Sequence, residues 1–90
     1  MTRLWTPAEP ITVRTRSTPE NDSGIEPNQF VWQGQGHGVA HITREWRVDI
    51  DWWRERTWRA YYKLSTDTGL LVIIYRDLLT NHWYFLRLYD

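Results

Sequence analysis

The chain has 90 residues, with 11 basic and 11 acidic side chains, so its formal net charge is zero. It contains 7 Trp, 5 Tyr and 2 Phe but no cysteine. This length favours a single domain with an aromatic core, and the absence of cysteine excludes disulfides and thiolate metal sites.

The first 28 residues are predicted to form a flexible lead-in to the domain. Pro7 and Pro10 interrupt any pattern at the start. Residues 11–16 alternate and are rich in β-branched side chains, which predicts an edge strand. The segment Ser17–Asn28 is polar and contains Pro, Gly and three acids, a composition typical of a mobile loop.

Residues 29–90 are predicted to form an antiparallel β domain. Phe30 and Trp32 share one face, and glycines then mark a tight connection. The segment Val39–Ile50 alternates throughout, which predicts one long, bent strand. The residues expected on one face of this strand are Ala40, Ile42, Arg44, Trp46, Val48 and Ile50.

The next two strands follow short connections. Asp51–Arg56 interrupts the alternation and is predicted to join the long strand to a strand over Trp58–Thr66. Thr66–Gly69 carries a hairpin turn signal, because Gly69 adopts a positive φ without steric cost. Leu70–Arg76 is apolar on both faces, which predicts the most buried strand of the sheet.

The end of the chain completes a meander. Leu78–His82 is predicted to hold a turn suited to Asn81, followed by a last strand over Trp83–Tyr89. One face of that strand is expected to carry Trp83, Phe85, Arg87 and Tyr89. The fold class is therefore all-β. We expect a single small antiparallel domain of five to six strands, as a strongly bent meander or a small barrel, with a flexible N-terminal region.

A set of aromatic residues and short motifs from Phe30 onward carries a family resemblance. The set comprises Phe30, Trp32, Gly34, Val39, Ile42, Trp46, Trp52-Trp53, Arg59–Tyr62, Thr66–Gly69, Tyr75–Asp77 and Trp83–Asp90. These residues resemble a small bacterial domain family of unknown function that occurs as a stand-alone chain. They also resemble the C-terminal tail of the inactive Y-family polymerase homologue of bacterial translesion mutagenesis cassettes.

The resemblance implies a bacterial cytoplasmic protein linked to DNA repair or translesion synthesis, and it supplies no catalytic residue. The family usually has Asp where this chain has Ala60, so no role of that carboxylate carries over.

The sequence offers few groups for catalysis or metal binding. His37 and His41 are four residues apart, a spacing that joins two ligands on a helix rather than on a strand. Asp49 and Asp51 have arginines nearby, which favours surface ion pairs over acid–base work. We predict no catalytic residue, no metal site, no cofactor and no enzyme activity. An enzyme using these four residues remains an alternative that requires them to converge in one pocket.

The segment 44–63 is the strongest candidate for recognition, because it interleaves aromatic rings with five Arg and Lys63 against four acids. Two adjacent Trp on a connection are hard to bury together, and an exposed Trp beside Arg is typical of a binding hot spot. The predicted binding residues are Trp52, Trp53, Arg54, Arg56, Arg59 and Lys63.

Zero net charge favours a protein partner for this surface. Single-stranded nucleic acid stacked on the rings is an alternative and predicts binding that weakens steeply with salt. A self-associating domain, monomer or weak homodimer, is another. The longest apolar run, Leu70–Tyr75, is too short to cross a membrane, and no secretory signal opens the chain. We therefore expect a soluble cytoplasmic protein with no membrane partner.

Overall fold

A computed structural model describes residues 3–19, 24–53 and 55–89, with side chains described outside 3–7 and 52. The chain forms six strands that close into an antiparallel barrel in sequence order, with the last strand beside the first. The strands are β1 (Arg3–Ser17), β2 (Ile25–Trp32), β3 (Gln35–Trp52), β4 (Glu55–Thr66), β5 (Leu71–Asp77) and β6 (His82–Tyr89). The predictions of an all-β class and of a small barrel are confirmed.

The first strand closes the barrel. Residues 12–17 of β1 pair with β2, and residues 3, 4 and 9–11 pair with β6. The strand is longer than the predicted 11–16 and, as a whole, has neighbours on both sides. Within the predicted segment, Ile11 pairs with β6 and residues 12–16 pair with β2 alone among the described residues, as in an edge strand. The first half of β1 lacks the alternating β-branched residues on which the prediction was based. Its pairing with β6 is irregular, with a register shift between Leu4 and Glu9 around Pro7.

The second strand begins inside the segment that the sequence predicts as a loop. Thr18 N donates a hydrogen bond to Gly24 O at 2.9 Å, and pairing of β1 with β2 starts immediately afterwards, at Ser17 with Ile25. The boundary expected between residues 28 and 29 thus falls within β2. Residues 20–23 of the predicted mobile loop lie outside the described residues.

The interior of the barrel is filled by one apolar cluster. The strand predicted to be the most buried, β5, has Val72, Ile73, Ile74 and Tyr75 buried, which confirms that prediction. The ring of Trp32 lies flat on Phe85, with centroids 4.2 Å apart and planes within 2°. The core comprises Phe30, Trp32, Ala60, Tyr62, Leu64, Val72, Ile74, Trp83, Phe85 and Leu88. No helix in the described part of the chain is long and apolar enough to cross a membrane.

Bulges in β3 change which of its side chains face the core. Register shifts leave Ala40 and Thr43 without a partner in β4. Ile42 packs against the core opposite buried Leu64, whereas Trp46 lies opposite Tyr61, which is only half-buried. The prediction that the even-numbered residues from Ala40 to Ile50 share one face is therefore wrong. The bulge at Thr43 adds one unpaired residue, which moves the later side chains of the strand to the opposite face.

A bulge in β6 has the same effect near the end of the chain. Pairing with β5 skips Leu86, so that Phe85 and Leu88 are both buried. Arg87 and Tyr89, which the sequence predicts on the face of Phe85, are turned away from the core by the extra residue.

The turns predicted at Gly69 and Asn81 are confirmed. Gly69 and Asn81 have φ of 90° and 63°, and the β2–β3 turn has positive φ at Gln33 and Gly34. Such turns match the right-handed twist of the strands that they join. They fix the register of each hairpin.

The β4–β5 turn is docked onto β3 at Gly38. Asp67 N donates to Gly38 O at 2.9 Å, and Gly38 N donates to Asp67 Oδ1 at 3.0 Å. A Cβ at position 38 would lie 2.5 Å from Asp67 Oδ2. Only glycine permits this close approach.

We expect Gly38→Ala to destabilise the barrel by about 1–2 kcal/mol, because the methyl group displaces the carboxylate that accepts from the Gly38 amide. In an Asp67→Ala background the same change should be neutral or stabilising, since alanine is favoured over glycine within a strand. Urea unfolding of the two single variants and the double variant measures the coupling. Equal costs in both backgrounds would show that the carboxylate contact is not the cause.

Candidate functional site

β3 and β4 extend beyond their neighbours in the barrel as a two-stranded arm. Within the described residues, β2 pairs with β3 only up to Gly38, and β5 pairs with β4 only from Arg59 onward. Residues 47–58 are the arm. The connection predicted over 51–56 is shorter than expected, because β3 ends at Trp52 and β4 begins at Glu55.

Four aromatic rings cross the outer face of the barrel at the base of the arm, one from each of β3, β4, β5 and β6. We call Trp46, Tyr61, Tyr75 and Tyr84 the aromatic ladder. The strand register places them directly opposite one another. Successive ring centroids are 5.3, 5.1 and 5.1 Å apart. Cross-strand aromatic pairs of this kind stabilise a sheet by about 0.2–1 kcal/mol each.

Two guanidinium groups also cover rings of the ladder. Arg44 Cζ lies 4.9 Å from the centroid of Trp46, and Arg59 Cζ lies 4.6 Å from that of Tyr75. Arg59 Nη1 also donates to Tyr61 Oη at 3.2 Å. Faces of Trp46, Tyr61 and Tyr75 are therefore in contact with neighbouring rings or with guanidinium groups.

The pKa values of two groups at the ladder, Arg59 and Tyr75, are shifted. The hydrogen bond from Arg59 to the Tyr61 hydroxyl is the main cause that raises the pKa of Arg59. Burial is the main cause that raises the pKa of Tyr75 above its ordinary value of 10.0. Tyr75 is 6% exposed, so its phenolate would lose most of its hydration.

A second group of cations lies beside the ladder. Lys63 Nζ is 4.8 Å from the ring centroid of Tyr89, and Arg87 Cζ is 5.8 Å from the same ring. The register places Arg44 opposite Lys63 and Ile73 opposite both Lys63 and Arg87. None of the three cations forms an ion pair with an acidic side chain within the described residues.

The predicted binding residues divide among the tip of the arm, one face of the arm and the outer face of the barrel. Trp53 is at the tip and 85% exposed. Arg59 and Lys63 lie on the outer face with Tyr61, because they alternate with the buried positions of β4. The side chain of Trp52 and the whole of Arg54 lie outside the described residues.

Arg56 is an odd number of residues away from Arg59 and so lies on the opposite face of β4, within the arm. It donates two hydrogen bonds of 3.1 Å to the carboxylate of Asp49, and this contact is the main cause that raises its pKa. Its guanidinium lies 4.6 Å from the ring centroid of Trp58. Arg56 therefore stabilises the arm internally rather than joining Arg59 and Lys63.

The sequence did not predict that the four rings of the ladder lie side by side. The available signal was the turn geometry: the β4–β5 turn sets Tyr61 opposite Tyr75, and the β5–β6 turn sets Tyr75 opposite Tyr84. The position of Trp46 could not be obtained in this way, because two bulges separate it from the start of β3.

The residues considered for an enzyme do not converge. His37, His41, Asp49 and Asp51 all lie on β3, where eight residues span about 25 Å, so His41 and Asp49 cannot share a pocket. His37 is buried, stacks on Phe30 and hydrogen-bonds through Nδ1 to the Thr68 hydroxyl at 2.6 Å. The described residues contain no group of three or more His, Cys, Asp or Glu side chains placed to hold a metal.

A surface cavity of about 280 Å³ lies at the end of the barrel opposite the arm. Its lining comes from the β2–β3 turn, the start of β3 and the β4–β5 turn. These residues are Trp32, Gln33, Gln35, His37, Thr68 and Leu70.

The profile of one family, described as Domain of unknown function (DUF6504), matches residues 3–89. The matched range contains all six strands, so the family's unit is the whole closed barrel including β1. No curated protein and no solved structure matches the chain.

The buried side chain of Tyr75 should make the barrel sensitive to alkali. Because the folded-state pKa of Tyr75 is raised, the stability that its neutral form contributes is fully present below pH 10.0 and is lost as the pH rises above it. We expect the free energy of unfolding to fall less between about pH 8 and about pH 11 in Tyr75→Phe than in the wild type. Urea unfolding at the two pH values measures this. An unchanged difference would assign the alkaline loss to other groups.

Proposed function

The chain belongs to the DUF6504 family, and we propose that it is a non-enzymatic module that docks a protein partner through its arm and the outer face beside it. The contact is centred on Trp53 and Ile50, with Arg59 and Lys63 at its margin. The barrel serves as the rigid support that holds the arm.

The main support for the proposal is the exposed ring of Trp53 on a left-handed backbone. Its φ is 55°, a left-handed conformation that costs an L-residue about 1–2 kcal/mol and that Gly or Asn adopts readily. The same side chain is 85% exposed. A large ring is thus held at a position where both backbone strain and exposure disfavour it. The tight turn that joins β3 to β4 accounts for the positive φ itself, since such hairpin turns favour it. An exposed Trp at a turn position that favours Gly or Asn supports a binding role for the ring.

Exposed apolar side chains support the same location. Among the described residues, four large hydrophobic side chains are exposed: Val31, Ile50, Trp53 and Leu79. Ile50 and Trp53 lie on the arm, and Leu79 lies in the turn whose Leu78 N donates to Trp58 O at the base of the arm. Three of the four therefore cluster at one end of the barrel, as is typical of a protein interaction site.

The ladder argues for protein rather than nucleic acid. A stacking platform for single-stranded nucleic acid needs ring faces open to bases. Here the faces of Trp46, Tyr61 and Tyr75 are occupied by neighbouring rings or by Arg44 and Arg59. A net charge of zero also gives little attraction for phosphate.

One observation favours single-stranded nucleic acid as a second candidate. Arg44, Lys63 and Arg87 form a cationic row beside the ladder with no acidic partner among the described residues. Three cations could neutralise successive phosphates of one strand. Their binding would then fall steeply with salt.

We place the module in the bacterial cytoplasm, with a partner among the proteins of DNA repair or translesion synthesis. The support is the resemblance of the aromatic residues and short motifs from Phe30 onward to the tail of the translesion polymerase homologue. Since a tail of such a protein works within an assembly, the related module is expected to dock onto one.

Trp53→Asn is expected to abolish partner binding while leaving the barrel as stable as the wild type or more stable by up to about 1 kcal/mol, because Asn tolerates the positive φ. Immobilised wild type and variant are compared for the proteins they retain from the encoding bacterium, grown with and without DNA damage. Thermal unfolding of both proteins gives the stability. Retention of the same proteins by both would refute the proposal.

Val31→Thr is the matched control, because it removes another exposed apolar side chain on β2, away from the arm. It should retain the partner. Retained components of translesion synthesis would support the proposed pathway, and their absence among retained proteins would contradict that part alone.

The nucleic-acid candidate is tested on the purified protein. Fluorescence anisotropy of a labelled single-stranded oligonucleotide should show no salt-sensitive binding at concentrations of about tens of micromolar. Binding that weakens steeply with salt and is lost in Lys63→Ala would make nucleic acid the ligand of this face instead.

A further inference from the structure

The free edge of β3 is a second interaction surface of the arm. Within the described residues, β3 beyond Gly38 pairs only with β4. From Arg44 to Trp52 it runs nine residues in regular register, without Pro, Gly or Lys. Natural edge strands are blunted by Pro, by bulges, by shortness or by charged side chains. The charged side chains of this edge are of both signs, so a strand with complementary charges can pair with it; they are Arg44, Glu45, Arg47, Asp49 and Asp51. In this stretch every second residue turns its backbone N–H and C=O groups away from β4.

We propose that this edge pairs antiparallel with β3 of a second copy of the chain, about a two-fold axis at Val48. Val48 then faces Val48 of the second copy, and Trp46 faces its Ile50. Ile50 is 55% exposed in the single chain. The pairing therefore covers an exposed apolar side chain and continues the sheet across both copies.

Charge complementarity selects the second copy as the occupant. The same axis places Arg47 opposite Asp49 of the second copy, and by symmetry this ion pair forms twice. Arg47 is exposed and has no ion pair within the described residues. Asp49 remains 52% exposed while it pairs with Arg56, so its carboxylate can accept from a second arginine.

Neighbouring registers are less favourable. An axis at Arg47 sets Arg47 against itself and Glu45 against Asp49, and an axis at Asp49 sets that carboxylate against itself. An axis at Trp46 brings the bulge at Thr43 into the pairing. In the Val48 register, Glu45 faces Asp51 of the second copy. These like-charged pairs lie near the ends of the paired strands, where water and salt screen the repulsion.

The inference concerns the edge of the arm and does not rest on the proposed docking of a partner to its tip and outer face. A dimer joined by one strand pair buries little area, so we expect a weak dimer with a dissociation constant of about tens of micromolar. Sedimentation of the full chain over a wide concentration range measures it. A wild type that stays monomeric up to about 500 µM overturns the proposal.

Two charge reversals on the edge test the register. Arg47→Asp alone sets two carboxylates against each other across the edge, and Asp49→Arg alone sets two guanidinium groups against each other. Each variant should therefore dimerise about tenfold more weakly or worse. Mixed one to one, the two variants restore both ion pairs, and association should return to near the wild-type strength. Reversals that each leave dimerisation unchanged, or a mixture that fails to associate, contradict the Val48 register.

Arg14→Asp is the charge-matched control, since Arg14 is exposed on β1 and pairs across to Gln29, away from the edge. It should dimerise as the wild type does. Thermal unfolding of all variants checks that the barrel is intact, and we expect little change, because exposed ion pairs such as Asp49–Arg56 contribute little to stability. Loss of association in Arg14→Asp to the same extent would show a general charge effect and refute the specific pairing.

Discussion

The antiparallel pairing of β3 with β4 begins in the barrel wall and continues to the tip of the arm, and it positions every part of the candidate site. Its inner end is fixed by the core around Leu64 and by the docking of Asp67 on Gly38. Its outer end has no third strand among the described residues. A two-stranded ribbon alone is marginally stable, so the arm depends on the closed barrel for its geometry.

The aromatic ladder connects stability to recognition. Its rings are satisfied by one another and by Arg44 and Arg59, so most of their contact area is used within the chain. The faces of Trp46, Tyr61 and Tyr75 are therefore not open to stack on bases. This favours the mixed polar and apolar contacts of a protein interface over base stacking.

The arm combines two properties that a barrel selected for stability alone would avoid. Trp53 holds a left-handed backbone with an exposed ring, and the edge from Arg44 to Trp52 is long and regular. Trp53 lies at the tip of the ribbon and the free edge runs along β3. The two proposed contacts share Ile50, which belongs to the partner contact and also faces Trp46 of the second copy in the proposed strand pairing.

Local signals in the sequence determined the all-β class, the buried strand β5 and the turns at Gly69 and Asn81, because each depends on side-chain period or on positive φ within a few residues. They also singled out Trp53. Only the tertiary structure decided the role of β1, since closing the barrel depends on pairing with β6 at the far end of the chain. It also decided the bulges at Thr43 and Leu86 and the alignment of the ladder. Nothing local marks an extra residue in a strand, yet each one moves all later side chains to the opposite face.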